Sequence, residues 1–192
     1  MPAGEISIAI TDDDDAVREG LAAVLDGPGR RLSLHAHGLS FIEQVTDAPP
    51  DIAFLDLKMP QLSGLDVLRR LAPVSFPVIM ISAHGDIATA VEAIRLGAYD
   101  FVEKPFRPAA IEAAMAHALD AGRQPSADAD ALLSALTDRE RDIADALNRG
   151  LTNKEVAREL DISPRTVEIH RARVFAKLSV RNVAELVRLM SR

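Results

Sequence analysis

No cysteine occurs in the 192 residues of this chain, which excludes disulfides, thiolate metal sites and thiol catalysis and fits a reducing compartment. No apolar run approaches the ~20 residues that a membrane-spanning helix needs. The first fifteen residues run into four consecutive aspartates rather than into an apolar targeting segment. A cytoplasmic protein is expected. Internal repeats and low-complexity tracts are missing as well. Positive charge is scarce in the chain taken whole, at net −7, a poor match to nucleic-acid binding. The average hides a division: residues 1 to 125 carry 10 Lys+Arg against 18 Asp+Glu, whereas residues 163 to 192 carry 7 against 2. An acidic body with a basic end implies two jobs.

What is present, up to about residue 120, is an alternation of short apolar runs with helical patterns. Residues 5–11, 31–36, 51–55, 77–81 and 99–102 read as strands. Helices are expected near 14–26, 39–47, 64–72, 86–96 and 107–121, with apolar residues at helical spacing such as Ala90, Val91, Ile94 and Leu96. Strict βα alternation with short connections implies a five-stranded parallel sheet covered on both faces, an α/β fold with flavodoxin-like winding. The small, polar stretch from Asp120 to Asp130 contains Gly122 and Pro125 and reads as a linker or a frayed helix extension. Beyond it the pattern is wholly helical. Thr137-Asp-Arg-Glu140 and Thr152-Asn-Lys-Glu155 are capping boxes, Ser163-Pro164 is an N-cap with proline at the first helical position, and Gly150 closes a helix. Helices near 138–149, 153–160, 164–177 and 181–190 complete a small all-α bundle.

Open α/β folds place their chemistry at the carboxyl edge of the sheet. Asp12 and Asp13 follow the first apolar run, Asp56 follows the third, and Lys104 precedes Pro105 after the fifth. Carboxylates gathered on one edge repel one another unless a hard cation sits among them. The set therefore points to Mg²⁺ held by Asp12, Asp13, Asp56 and the backbone carbonyl of Lys58, with an Asp56 oxygen able to act as nucleophile in phosphoryl transfer. The aspartates at 12 to 15 also suit a plain helix cap.

With Leu55-Asp-Leu-Lys-Met-Pro60, Ile79-Met-Ile-Ser82-Ala and Asp100-Phe-Val-Glu-Lys104-Pro-Phe106 on successive strand ends, residues 1–122 resemble the response-regulator receiver domain. The resemblance implies that Asp56 takes a phosphoryl group from a phosphohistidine on a sensor histidine kinase. It also implies that Lys104 and Ser82 contact the phosphoryl oxygens, that the Lys104–Pro105 bond is cis, and that Phe101 is a switch aromatic. A core phenylalanine is the plainer reading of Phe101. Lys58 and His84 stand where such proteins tune hydrolysis of the acyl phosphate, although His84 also reads as a solvated loop residue.

In the basic end, residues 152–171 give a capped helix, a turn at Asp161-Ile-Ser163 and a second helix. Val167, His170 or Arg171, Val174 and Leu178 form its packing stripe. Arg165, Glu168, Ile169, Ala172 and Arg173 lie opposite, a face suited to the major groove. Thr166, Arg171 and Lys177 complete the expected DNA-contact set, and a solvated charged face is the alternative. Leu136-Thr-Asp-Arg-Glu140, Gly150-Leu-Thr-Asn-Lys-Glu-Val-Ala157 and Ser163-Pro-Arg-Thr-Val-Glu-Ile-His-Arg171 resemble the LuxR-type helix-turn-helix domain over residues 132–192, with 123–131 as linker. The pairing of the two halves is most similar to the FixJ branch of FixJ/NarL-type response regulators. This resemblance implies a transcription factor, not a turnover enzyme. Phosphorylation of its receiver would promote homodimerisation and binding to promoter DNA, with RNA polymerase as a further partner. Two rivals remain. An Asp-dependent phosphohydrolase usually carries a second Asp two residues after the nucleophile, where this chain has Lys58. An adaptor would use the helical unit only to dimerise.

Overall fold

The computed structural model describes residues 5–83, 87–121 and 129–190. His84 and residues 122–128 of the expected linker lie outside the described residues. By contact, the described chain divides into two compact units, residues 5–83 with 96–121 and residues 87–95 with 129–190. Helix α4 (Ile87–Arg95), which the sequence pattern places within the first unit, groups by contact with the second.

The first unit is built on β1 (Ile6–Thr11), β2 (Arg30–His35), β3 (Ile52–Asp56), β4 (Val78–Ser82) and β5 (Asp100–Glu103). All pair in parallel in the order β2-β1-β3-β4-β5. This is the doubly wound, flavodoxin-like order expected from strict βα alternation. Helices α1 (Asp15–Leu25), α2 (Gly38–Asp47), α3 (Gly64–Leu71) and α5 (Pro108–Ala121) belong to it. The strand and helix limits fall within about two residues of those read from the sequence.

Burial explains the strand sequences. Every residue of β3 and β4 is buried, as central strands covered on both faces require. Edge strand β2 mixes buried and exposed positions. Ile8, Ile10, Phe54, Ile79 and Ile81 form one core with Leu21 and Leu25 of α1 and Ile111 and Met115 of α5. Each such side chain contributes about 1.5–3 kcal/mol by leaving water. Register then sets the site. Thr11 pairs with Leu55, Asp56 with Ile81 and Ser82 with Glu103, so Asp12, Asp56, Ser82 and Lys104 all emerge at one edge.

In the second unit α6 (Ala129–Ser134), α7 (Asp138–Asn148), α8 (Asn153–Glu159), α9 (Pro164–Leu178) and α10 (Val183–Met190) surround a core of Leu136, Ile143, Leu147, Val156, Val167, Val174 and Leu186. Helix α6 begins inside the stretch read as linker. Both capping boxes form: Thr137 and Thr152 accept from the amides of Glu140 and Glu155, whose carboxylates in turn accept from the cap amides. Ser163 caps α9 ahead of Pro164.

The ends of α7 and α8 use the same device as the end of α9, where Ser179 at φ 55° lets the Val180 amide donate to the Phe175 carbonyl at 3.0 Å, each with a different residue. After α7, Gly150 at φ 88° lets the Leu151 amide donate to the Ala146 carbonyl at 3.1 Å. After α8, Asp161 at φ 51° lets the Ile162 amide donate to the Ala157 carbonyl at 2.9 Å. All three are Schellman closures, which favour glycine at the left-handed position. Asp161→Gly is therefore expected to stabilise the protein by about 0.5–1 kcal/mol, read as a raised thermal midpoint with the helix-turn-helix spacing unchanged.

Candidate functional site

At the end of β1 the four aspartates separate by role. Asp14 is the cap of α1, accepting from the amides of Ala16 at 2.9 Å and Val17 at 3.4 Å. Asp15, in the first turn, pairs with Arg18. Asp13 is exposed. Asp12 is 1% exposed: one of its oxygens accepts from the Asp14 amide at 3.0 Å and the other turns into the sheet edge. The capping reading thus holds for Asp14, while Asp12 lies buried at the sheet edge beside Lys104.

Asp56 closes β3 at 4% exposure. Its Oδ2 accepts from the Lys58 amide at 2.7 Å, a local turn that fixes the carboxylate plane and leaves Oδ1 facing the edge. The Lys58 side chain is exposed. Behind this turn the Gly64 amide donates to the Leu57 carbonyl at 2.9 Å, and buried Leu57, Met59 and Leu62 pin the loop. Gly64 itself has room for no side chain: a Cβ there would lie 2.3 Å from the Asp56 carbonyl oxygen.

From the end of β5, Lys104 reaches across the edge. Its Nζ lies 2.6 Å from Asp56 Oδ1 and 2.7 Å from Asp12 Oδ2, and its amide donates to the Ser82 carbonyl at 2.7 Å. The Lys104–Pro105 bond is cis, as the resemblance implied. Ser82 is 1% exposed at the end of β4. The site thus brings Asp12, Asp56, Ser82 and Lys104 together, with Asp13 at its rim. Phe101 is half-buried on β5, where it lines a groove of about 390 Å³ with Val102, Phe106, Ala110, Ala114 and His117.

Electrostatics in this pocket are unbalanced, with two buried carboxylates facing one ammonium. Burial pushes the Asp56 carboxyl up, Asp12 adds to the rise, and Lys104 opposes it without cancelling it. For Lys104, burial works against the cation, but the hydrogen bonds to Asp12 and Asp56 prevail and hold its pKa above the usual value. A net negative, oxygen-lined edge suits a hard divalent cation. Among the described residues no group of three or more His, Cys, Asp or Glu is gathered as a metal cage. Mg²⁺ asks for no cage, because it keeps several waters and binds through one or two carboxylates. Asp12 and Asp56 fit that requirement.

Helix α9 presents the second candidate surface. Val167, Val174 and Leu178 are buried, whereas Arg165, Glu168, Ile169, Ala172 and Arg173 are exposed, Ile169 by 45%. Arg165 Nη1 lies 3.3 Å from Glu168 Oε2, an exposed pair one helical turn apart. Thr166 is half-buried beside the Ser163 cap, with the two hydroxyls 2.8 Å apart. The half-buried Arg171 stacks over Phe175 at 5.0 Å, with Nη1 3.5 Å from Asn153 Oδ1. Lys177 turns away from this face towards Glu140, at 2.6 Å. Sequence reasoning missed that partnership, although Glu140 was already visible as half of a capping box. It also missed the role of Gly64, whose only sequence signal is a glycine directly after a helix-capping serine.

Comparison with known proteins agrees with this geometry. The response regulator receiver domain model matches residues 8–116, and the model of bacterial regulatory proteins of the luxR family matches residues 134–190. The transcriptional regulatory protein FixJ of Rhizobium meliloti is 40% identical over 96% of this chain and 95% of its own length. The response regulator protein TmoT of Ectopseudomonas mendocina is 38% identical over 98% of this chain and 89% of its own. The crystal structure of full-length FixJ from B. japonicum is similar at a TM-score of 0.54 and 38% identity, covering 98% of this chain and 97% of that one. The chain belongs to the response regulators, in the FixJ/NarL-type group of transcriptional regulators that join a receiver domain to a LuxR-type helix-turn-helix domain.

Proposed function

We propose that Asp56 Oδ1 is the phosphoryl acceptor of this response regulator, with a phosphohistidine of a sensor histidine kinase as donor. The observation that carries this reading is the bridge of Lys104 Nζ between Asp56 and Asp12 at the sheet edge. In the transfer, Asp56 Oδ1 forms a bond to phosphorus as the bond from phosphorus to the donor imidazole nitrogen breaks, and the freed imidazole takes up a proton. Asp12, Asp13, Asp56 and the Lys58 carbonyl would hold Mg²⁺, which supplies charge neutralisation for the incoming phosphoryl oxygens. The Lys58 amide bond to Asp56 Oδ2 fixes the carboxylate so that Oδ1, held by Lys104 at the sheet edge, is the oxygen presented to the donor. Once Oδ1 is esterified, Lys104 exchanges its carboxylate partner for a phosphoryl oxygen, and the Ser82 hydroxyl donates to a second one.

Phe101 reads this change from β5, where movement of Ser82 alters the space behind its ring. The groove beside it, formed by β5 and α5, is the surface we assign to the homodimer. Dimerisation sets two α9 helices at half-sites about one DNA turn apart, adding weak contacts into specific binding. Arg165 and Arg173 supply phosphate or guanine contacts, Ile169 offers apolar contact to a thymine methyl, and Glu168 orients Arg165 or accepts from cytosine. Thr166, Arg171 and Ala172 border this face. RNA polymerase is the further partner through which a promoter-bound dimer acts, and the cytoplasm is where all these partners meet.

Addition of beryllofluoride and Mg²⁺ to the full chain should convert monomer to dimer in sedimentation and tighten salt-dependent binding to duplex DNA together. A dimer formed without gain in DNA affinity would favour the adaptor reading. Steady turnover of a small phosphate ester would favour a phosphohydrolase.

A further inference from the structure

We propose that Lys177 is a positioning residue for the DNA-reading helix: its ammonium ties α9 to the start of α7 through Glu140 and to the Ala135 carbonyl just past α6, and it orients α9 without touching DNA. This rests on the DNA-binding reading of α9. On charge alone Lys177 belongs with the phosphate contacts, as a lysine on a basic helix. Its geometry says otherwise.

The Nζ lies 2.6 Å from Glu140 Oε2 and 3.2 Å from the Ala135 carbonyl, so two of its three donors are committed inside the unit. The acceptor is not a casual surface carboxylate. The Glu140 side chain is 5% exposed, and the same Oε2 accepts from the Thr137 amide and hydroxyl, both at 2.9 Å. Hydrogen bonding from Lys177 first, and then from Thr137, holds the Glu140 carboxyl at about 2. It is an anion throughout the range in which the protein works, and removing Lys177 leaves it buried without its cation.

Helix geometry explains what this anchor adds. Val167, Val174 and Leu178 hold α9 to the core by an apolar stripe, and apolar packing is non-directional. The Lys177 tether is directional and charge-assisted. It lies about 18 Å along the helix from Arg165 at 1.5 Å per residue, so a small rotation allowed at this end is carried rigidly to the reading end. Among the described residues Arg165, by contrast, is paired only with Glu168 across one exposed turn, an arrangement that can yield to phosphate.

The test uses the full chain activated with beryllofluoride and Mg²⁺, a duplex that it enriches from a random library, and a shuffled duplex of the same composition. Lys177→Met is compared with wild type at a temperature where both are fully folded by circular dichroism. The expected result is a loss of specific affinity on the order of ten-fold, an unchanged affinity for the shuffled duplex, and an unchanged slope of log K against log salt. Glu140→Gln in the Lys177→Met background keeps the Thr137 bonds and strands no buried charge, so it should restore stability while specific binding stays weak, because the tether to α9 is still missing. A phosphate-contact role predicts instead that both duplexes weaken and that the slope falls by about 1. A purely stabilising role predicts wild-type affinity for folded Lys177→Met. Either of these results overturns the proposal. Failure of the wild-type chain to enrich any duplex would instead remove the DNA-binding reading beneath it.

Discussion

Asp56→Asn is expected to take up no phosphoryl group from an acyl-phosphate donor with Mg²⁺, while folding as well as the parent chain or better. Loss of transfer follows from chemistry, since an amide oxygen is a poor nucleophile. Retention of the fold follows from electrostatics. In metal-free protein the ionised Asp56 is buried and faces Asp12, and both effects push its carboxyl above the ordinary 3.8. The folded state therefore holds the Asp56 proton more tightly than the unfolded state does. As pH rises above about 3.8, stability from this group is lost, and the loss is complete once pH exceeds the folded value. Asn carries no such penalty, and Lys104 keeps its bond to Asp12. Urea unfolding at neutral pH without metal should show Asp56→Asn at or above the parent midpoint. A collapse of the fold would mean that the carboxylate is structural.

Gly64→Ala is expected to be far more damaging to folding than its single methyl suggests. The new Cβ would stand 2.3 Å from the Asp56 carbonyl oxygen and 3.1 Å from Leu57 Cα, both backbone atoms, and 2.7 Å from the buried Met80 Cε. A flexible side-chain tip could move aside, but the backbone of β3 and its turn cannot without breaking the Gly64 amide bond to Leu57 and disturbing the Lys58 amide bond to Asp56. A loss of about 3 kcal/mol or more is expected, with phosphoryl uptake reduced in whatever fraction still folds. Gly20→Ala in α1 is the matched control. No heavy atom lies within 4 Å of its Cβ, and the helix gains about 0.5–1 kcal/mol from alanine. Denaturant midpoints at constant slope distinguish the two. Equal effects at Gly64 and Gly20 would mean that the close approach behind Asp56 does not govern the site.

Sheet, helices and the polar residues at the sheet edge were legible because local pattern and global fold agree in the first unit. Runs such as Ile52-Ala-Phe-Leu55 and Ile79-Met-Ile81 are apolar throughout, as central parallel strands must be, and each ends on a buried polar residue, Asp56 or Ser82, at the carboxyl edge of the sheet. Capping at Thr137, Thr152 and Ser163 was legible for a similar reason, since the cap and its partner lie three residues apart. The start of α6 was not. Ala129-Asp-Ala131 has the small, polar composition of a linker, and packing of Leu132 and Leu133 against the helical core decides its conformation. The division of labour among Asp12, Asp13, Asp14 and Asp15 was equally invisible, because four identical side chains differ only in the direction that the strand-to-helix turn gives them. The pairing of Lys177 with Glu140 is illegible in the sequence because the partners stand 37 residues apart, beyond any local pattern.

The most direct test of phosphoryl control over DNA binding measures two quantities on one preparation through the course of phosphorylation by an acyl-phosphate donor and Mg²⁺. Intact mass gives the phosphorylated fraction, with peptide mapping to locate the group, and parallel titration gives affinity for an enriched duplex. In the wild-type chain the added mass should map to Asp56 and affinity should rise in step with it, whereas Asp56→Asn should show neither. A phosphoryl group found on another residue, or an affinity indifferent to the phosphorylated fraction, would contradict the control of the basic helical unit by the acidic sheet edge.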